Sequence, residues 1–263
     1  MDSDLITLGT RLQTVASFIK KGSVLGDIGT DHAYLPVYLV QQGIIERAVG
    51  VDIHDGPYHS ALETVQAYGL QLAIDIRKGN GLNPIGPGEV NVLVLAGMGG
   101  NTILQILAER VDILRGIEEL VLQPQGAEGK VRKELMDSGW KLQGERLTEE
   151  EGRIYSVIHF SRTEGLTNKD IEDRIKALLD SLGQRGQDDI LLENLNKAVW
   201  RFGPVIITQK NGLLQRMVRD YMKRLTRVRE EIQKSDRKEL AGKVQEILEE
   251  LTLMEVMEQC LFR

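Results

Sequence analysis

Apolar and polar positions divide the chain into two parts with different periods. Up to about residue 162, five short apolar runs that predict buried strands alternate with segments whose apolar residues recur at three- and four-residue steps. The first strand run starts at residue 24 and the others cover 48–52, 73–77, 90–96 and 119–122, while the helical segments cover 5–19, 32–42, 57–69, 101–114 and 128–138. Repeated strand-helix units of this kind predict a parallel α/β sheet with right-handed crossovers.

Two further β runs follow the last of these units. Residues 140–146 and 153–160 alternate in the manner of strands, and the acidic segment 148–152 lies between them. This pattern predicts an antiparallel hairpin at the edge of the sheet. Five strand-helix units followed by a hairpin indicate the fold class: α/β, a class I (Rossmann-like) methyltransferase domain, which we expect to span residues 1–163.

From residue 164 onward the apolar period is helical throughout. Apolar residues step by four and three over 214–232 and again over 240–254, which is the spacing of coiled-coil seams. The two segments lie close in sequence, so they can fold back on each other within one chain. Residues 164–263 are therefore expected to form an all-helical coiled-coil domain, and the protein is expected to be a monomer.

Charge is distributed unevenly between these parts. The net charge is −6; residues 1–162 carry 15 basic and 21 acidic side chains, whereas residues 163–263 carry 18 of each. Residues 209–238 hold 10 basic and 4 acidic side chains. Four of the basic residues step by three and four along one helical stripe, which indicates either a phosphate-binding face or a solvated helix face: Arg216, Arg219, Lys223 and Arg227. No run of about 18 apolar residues is present, so we expect a cytoplasmic protein without membrane contact.

The turn after the first strand has the character of a ligand site. Gly29 begins a strand-to-helix turn like those that bind nucleotides, but Asp31 follows where a dinucleotide fingerprint needs glycine. A carboxylate at this position repels a pyrophosphate and favours a cation. S-adenosylmethionine carries a cationic sulfonium and a cationic ammonium, which Asp27 and Asp31 suit. Asp52 ends the second strand, where a carboxylate can accept from both ribose hydroxyls.

A second glycine-rich turn follows the fourth strand. Gly97, Gly99 and Gly100 permit close approach of the backbone to a planar ligand, and we expect this turn to face the substrate. Met98 between them either lies flat against adenine or fills a gap. At the end of the next strand, Gln123 is a candidate substrate contact, and Arg132 on the following helix lies near either phosphate or solvent.

Several motifs, taken together, resemble one known family. LGDIGTDHAYLP, VDIHDGP, KGNGL, LAGMGGNTI, LQPQ and GRIYSVI occur in residues 5–162 in the order and spacing of the bacterial tRNA adenine N1-methyltransferases of the TrmK type. The resemblance implies a Rossmann-like domain with a helical coiled-coil domain that methylates N1 of adenine 22 in tRNA. It adds Ile53, Asn80, Gly81 and Ala96 to the expected S-adenosylmethionine site. At Asn80 the family usually has an acidic residue, which receives the cofactor's adenine amino group; the Asn carbonyl still accepts.

Methylation of adenine N1 requires positioning more than a strong base, since N1 already has an in-plane lone pair. We expect a flipped base held by the backbone carbonyls of Ala96 and Gly97, with Asp27 or Asp31 favouring the developing positive charge. His32 is a candidate proton relay, with helix capping as the alternative. Tyr34 and Tyr155 are candidates for stacking on the base, with packing as the alternative. We expect no metal.

Two other functions remain open at this point. One is methylation of another RNA or a small molecule with the same cofactor. The other is a non-catalytic nucleotide-binding adaptor that uses the coiled coil for interaction. Whether bulk tRNA, rather than metabolites, accepts label from the cofactor separates the first two functions, while the adaptor would bind the cofactor and transfer nothing.

Overall fold

The computed structural model describes residues 5–181, 189–209, 211–234 and 241–261. The chain forms two compact units, which divide between Thr167 and Asn168. The strands of the first unit are β1 (Val24–Ile28), β2 (Arg47–Asp52), β3 (Ile74–Lys78), β4 (Val92–Met98), β5 (Glu119–Pro124), β6 (Lys141–Glu150) and β7 (Arg153–Ser161). Its helices are α1 (Thr10–Ala16), α2 (Tyr34–Gln41), α3 (Asp55–Ala67), α4 (Gly100–Glu109), α5 (Val111–Leu114) and α6 (Glu128–Asp137).

The described strands form one sheet in the order β3-β2-β1-β4-β5-β7-β6. The first five strands of this order are parallel, and β7 and β6 run antiparallel to their neighbours. Strand β4 lies in the middle, and Leu93, Val94 and Leu95 are fully buried because helices cover both faces of a parallel sheet. The sheet confirms the predicted class I, Rossmann-like fold.

Two predicted helices begin later than expected. Residues 5–9 are not helical: the Ile6 amide donates to Gln41 Oε1 over 2.9 Å, and α1 begins at Thr10. The helix expected from His32 begins at Tyr34, because Asp31 and Ala33 have φ values of 53° and 55°. A left-handed backbone cannot continue a right-handed helix, so this segment forms a turn.

The segment predicted as one helix over 101–114 is two helices, α4 and α5. Arg110 separates them with φ −130° and ψ 63°. Its guanidinium pairs with Asp112 at 2.7 Å, which holds the break in place. The hairpin strands are longer than predicted: Glu151 and Gly152 form the turn with positive φ values of 50° and 75°, so residues 148–150 belong to β6.

The second unit is helical, and α9 and α10 run antiparallel. Its helices are α7 (Asn168–Ser181), α8 (Asp189–Phe202), α9 (Gly212–Lys234) and α10 (Ala241–Leu261), with a short 3-10 turn at Ile206–Thr208. Tyr221 Oη donates to Glu250 Oε1 over 2.7 Å, and Arg219 pairs with Glu258. The predicted seam is buried at Leu214, Val218 and Tyr221 and half-buried at Leu225 and Ile232, whereas Val228 is 43% exposed. Leu240 lies outside the described residues.

Candidate functional site

The turn after β1 is fixed to the neighbouring strand β2. The amides of Gly29 and Thr30 both donate to the carbonyl of Val51, over 2.8 and 3.0 Å. Gly29 has φ +76°, which favours glycine, and Asp31 and Ala33 adopt the same left-handed region as non-glycine residues. These contacts aim the turn over the carboxyl edge of the sheet, where open α/β sheets bind ligands.

Asp27 is the buried carboxylate of this edge. It is 5% exposed, and the Thr30 hydroxyl donates to its Oδ2 over 2.7 Å. The pKa of Asp27 is raised to about 6, chiefly by burial and also by the nearby carboxylates of Asp52 and Asp31, while the hydrogen bond from Thr30 partly offsets these effects. A cation placed beside Asp27 would favour its charged form.

Asp52 ends β2 with both carboxylate oxygens oriented by backbone amides. The amide of Asp31 donates to Oδ2 over 3.2 Å and that of His54 donates to Oδ1 over 3.0 Å. Each carboxylate oxygen can accept a further hydrogen bond. The side chain can therefore receive two ligand hydroxyls while it ties the β1 turn to the end of β2.

Two adjoining cavities open at this edge of the sheet. The carboxylate cavity, about 330 Å³, is polar and is lined by Arg11, Leu12, Asp27, Gly29, Thr30, Asp31, His32, Tyr34, Leu35, Asp52, His54, Pro57, Ala96, Gly97 and Gln125. The apolar cavity, about 500 Å³, is lined by Ile28, Gly29, Val51, Asp52, Ile53, His54, Gly79, Asn80, Gly81, Ala96, Gly97, Met98, Thr102 and Ile106. The shared residues, Gly29, Asp52, His54, Ala96 and Gly97, join the two cavities. Every residue predicted to bind S-adenosylmethionine lies in one of these linings.

The donor set fits S-adenosylmethionine. Asp27, Asp31 and Asp52 supply negative charge for its cationic part and acceptors for its ribose. The apolar cavity offers Ile53, Met98 and other aliphatic side chains to a flat adenine ring. A cavity of this chemistry suits a nucleoside joined to a cationic chain.

Gly97 lies at the junction of the cavities with φ +80°. Its amide donates to Gln123 Oε1 over 3.1 Å, and Arg11 Nη1 donates to the same oxygen over 3.0 Å. Gln123 is fully buried. The prediction that Gln123 contacts the substrate is therefore wrong. Its side chain is fully buried and accepts a hydrogen bond from the Gly97 turn.

Gly99 and Gly100 lie outside the linings of both cavities. A Cβ on Gly100 would come within 2.5 Å of the carbonyl oxygen of Gly126, so this glycine is required for backbone packing. Gly99 is the N-cap of α4, and a Cβ there would meet Thr102 Oγ1 at 3.6 Å. Gly100 is buried, so the expectation that it faces a substrate base is wrong; the role of Gly99 stays a prediction.

The prediction that Arg132 contacts the substrate is wrong. It faces the core from α6, and both it and Glu145 of β6 have fully buried side chains. Arg132 Nε donates to Glu145 Oε1 over 2.5 Å. The guanidinium is enclosed with its counter-charge, so it cannot reach a substrate phosphate without unfolding of the hairpin.

The predicted aromatic contacts lie near the carboxylate cavity. His32 and Tyr34 stack with ring centroids 5.2 Å apart at 15°, and both line the cavity mouth. The N-cap of α2 is Ala33, so helix capping by His32 is wrong. Tyr155 is half-buried, with the guanidinium of Arg11 5.9 Å from its ring centre.

Some side chains of the basic stripe on α9 have acidic partners. Arg219 pairs with Glu258, Lys223 pairs with Asp220 at 3.3 Å, and Arg216 is half-buried. Arg219, Lys223 and Arg227 line a surface groove of about 480 Å³. Acidic neighbours thus neutralise part of the stripe, and its role in binding phosphates stays a prediction.

Sequence reasoning missed several cavity residues. Arg11 comes from α1, which precedes the first strand, and Ile106 and Thr102 come from α4. Arg11 occupies a polar position of an amphipathic helix, and no motif marks it. The short spacing from Asp27 to Thr30 in the β1 turn was the signal available for Thr30.

Residues 5–181, 189–209, 211–234 and 241–261 show neither a metal site nor a membrane-spanning helix. Within them, no group of three or more His, Cys, Asp or Glu side chains is arranged to hold a metal ion. Within the same ranges, no helix is long and apolar enough to cross a membrane.

The strand order and the paired cavities at the carboxyl edge define an α/β protein of the class I methyltransferase type. The chain belongs to the TrmK-type methyltransferase family, and residues 8–158 match the family model described as a methyltransferase domain. A tRNA (adenine(22)-N(1))-methyltransferase from Bacillus subtilis (strain 168) is 42% identical over 153 residues, which are 58% of this chain and 64% of that relative, so the match spans less than two thirds of the relative's length.

Solved structures are similar over most of the chain. The TrmK tRNA methyltransferase of Bacillus subtilis is 30% identical with a TM-score of 0.77, over 96% of this chain and 99% of that one. A Streptococcus pneumoniae protein in complex with S-adenosyl-L-methionine is 28% identical with a TM-score of 0.75, over 95% of this chain and 100% of that one.

Proposed function

We propose that this protein transfers a methyl group from S-adenosylmethionine to N1 of adenine 22 in tRNA. The observation that carries the proposal is the junction of the polar carboxylate cavity and the apolar cavity at Gly97. The relatives named for this reaction support the choice of substrate. When bound, S-adenosylmethionine supplies an electrophilic methyl group.

Asp27, Asp31 and Asp52 would hold the cationic chain and the ribose. Ile53, Asn80, Gly81 and Met98 would hold the adenine ring of the cofactor in the apolar cavity. Asn80 has a carbonyl oxygen that accepts from an exocyclic amine, as the acidic residue usual in the family does.

The chain's contribution to catalysis is positioning. The Gly97 turn is held by Gln123, so the backbone carbonyls of Ala96 and Gly97 can accept from the exocyclic amine of a flipped adenine. His32 and Tyr34 form a stacked, partly exposed platform at the mouth, which suits a flat base. The charge of Asp27 or Asp31 favours the positive charge that develops on the methylated ring.

We also propose that the protein is a cytoplasmic monomer that binds tRNA. The first unit is acidic, so phosphate contacts are expected from the basic stripe Arg216, Arg219, Lys223 and Arg227.

The test is to incubate the purified protein with bulk tRNA and methyl-labelled S-adenosylmethionine and to map the modified base by reverse-transcription stops and mass spectrometry. We expect one modified position, adenine 22, and no transfer to a transcript that carries guanine there. Label in another RNA or in metabolites would contradict the tRNA assignment, and binding without any transfer would favour the adaptor.

A further inference from the structure

Arg11 brings a positive charge into a cavity that also has three carboxylates in its lining. Among the described residues that line the carboxylate cavity, it is the one arginine or lysine. It comes from α1, and its side chain is 23% exposed. Hydrogen bonds to Glu150 and Gln123 fix the position of its guanidinium.

The anchoring of Arg11 uses only part of its hydrogen-bonding capacity. Its Nε donates to Glu150 Oε2 over 3.3 Å, and its Nη1 donates to Gln123 Oε1 over 3.0 Å, while the Tyr155 ring lies 5.9 Å away. A guanidinium has five N–H groups. The other three have no partner among the described residues, and the group faces the cavity.

The ligand that the proposed function places here is a zwitterion at its amino-acid end. Asp27, Asp31 and Asp52 suit the sulfonium and the ammonium but repel the α-carboxylate. A carboxylate buried among three others needs a cation with free donors, and a guanidinium matches its geometry with two parallel hydrogen bonds.

We propose that Arg11 binds the α-carboxylate of the S-adenosylmethionine methionyl group. This inference rests on the proposed function. It assigns opposite ends of the amino-acid part to different elements, the ammonium to the carboxylates of the β1 turn and the carboxylate to α1. A phosphate of the tRNA is the other oxyanion that could meet the same donors, and the test separates the two.

The experiment measures affinities by calorimetry for two ligands, S-adenosylhomocysteine and its decarboxylated analogue, which keeps the amine. For Arg11→Gln we expect affinity for S-adenosylhomocysteine to fall about 10- to 100-fold, as loss of a charge-assisted contact requires, with affinity for the analogue unchanged. Glu150→Gln removes the counter-charge of Arg11, so it should raise the affinity ratio of the two ligands in favour of the carboxylate. This second variant keeps the test decisive if Arg11→Gln does not fold.

Arg146→Gln is the matched control. Arg146 Nη1 donates to Ser17 Oγ over 2.7 Å, so it joins the segment after α1 to β6 without lining the cavity. We expect it to change neither affinity. Equal losses for both ligands in Arg11→Gln would overturn the inference and indicate a defect of the turn.

Two further outcomes separate the inference from the proposed function. Unchanged affinity for S-adenosylhomocysteine together with weaker tRNA binding in Arg11→Gln would overturn the inference and assign Arg11 to a tRNA phosphate. Failure of the wild-type protein to bind either ligand would contradict the proposed function, and the inference with it.

Discussion

The hydroxyl of Thr30 lies 2.7 Å from Oδ2 of Asp27 and donates the hydrogen bond that opposes the effect of burial on this carboxyl group. Burial has the larger effect, so the pKa of Asp27 is raised to about 6. Binding of a cationic ligand beside Asp27 would therefore be coupled to release of its proton.

The first prediction is that cofactor affinity rises with pH. A cationic ligand favours the ionised form of Asp27, so below pH 6 binding must displace a proton, and affinity should fall by up to about tenfold per pH unit. Calorimetric titration of S-adenosylmethionine between pH 5 and 8 measures this. Thr30→Val should move the midpoint to higher pH and Thr30→Ser should not; a flat profile in the wild type would contradict the coupling.

The second prediction is that Asp27→Asn stabilises the ligand-free protein at neutral pH. The folded state keeps the proton to about pH 6, whereas the unfolded carboxyl releases it near 3.8, so stability falls as the pH rises through this window. The carboxylate should cost about 3 kcal/mol above pH 6. Urea unfolding at pH 4 and pH 8 should show the two proteins alike at the lower pH and the variant more stable at the higher one.

The third prediction concerns Asp52. Asp52→Ala removes the acceptor of two expected ribose hydroxyls and of the Asp31 and His54 amides, so affinity for S-adenosylhomocysteine should fall well over tenfold. Asp52→Asn keeps one carbonyl oxygen and should lose less. Equal calorimetric affinity of wild type and Asp52→Ala would remove this residue from the site.

The fourth prediction separates two neighbouring glycines. Gly100→Ala should lower the free energy of unfolding by about 1–3 kcal/mol, because its Cβ meets the Gly126 carbonyl oxygen at 2.5 Å. Gly99→Ala meets no such obstacle, so it should unfold like the wild type and bind S-adenosylhomocysteine normally while transferring methyl groups to tRNA more slowly. Full transfer activity in Gly99→Ala would show that the base enters elsewhere.

The fifth prediction tests the basic stripe. If α9 contacts phosphates, Lys223→Glu with Arg227→Glu should reduce the salt dependence of tRNA affinity and leave cofactor affinity unchanged. Glu258→Gln should strengthen tRNA binding, because it releases Arg219 from its partner. The matched control is Lys169→Glu with Lys176→Glu on α7; an equal change there would indicate a general charge effect.

The strands and the main acidic residues of the site could be predicted because their signals are local. A buried parallel strand is a continuous apolar run, and Asp52 follows one directly. The roles of Arg132 and Gln123 could not be predicted, because burial of a polar side chain depends on a partner such as Glu145 that only the fold brings near. Arg11 has its partner Glu150 at a separation of 139 residues.

The predicted start of α2 was wrong for a related reason. Hydrogen bonds hold the left-handed backbone at Asp31 and Ala33. The Asp31 amide donates to the Asp52 carboxylate at the end of β2, and the Ala33 amide donates to the Thr30 carbonyl within the turn. The residue types alone do not predict this conformation. A helical pattern therefore included His32, although the tertiary structure delays the helix to Tyr34.

The position of β7 between β5 and β6 sets an order of events during synthesis. β6 is translated before β7 but pairs with the described sheet only through β7. It therefore has no strand to pair with until β7 has been translated as far as residue 161. The end of β6 receives α1: the Thr10 hydroxyl donates to the Glu149 carbonyl over 2.6 Å, and Arg11 pairs with Glu150. Arg11 is translated before every strand of the described sheet but pairs with the end of the sixth one, so the nascent chain completes its ligand cavity only after β6 and β7 have emerged.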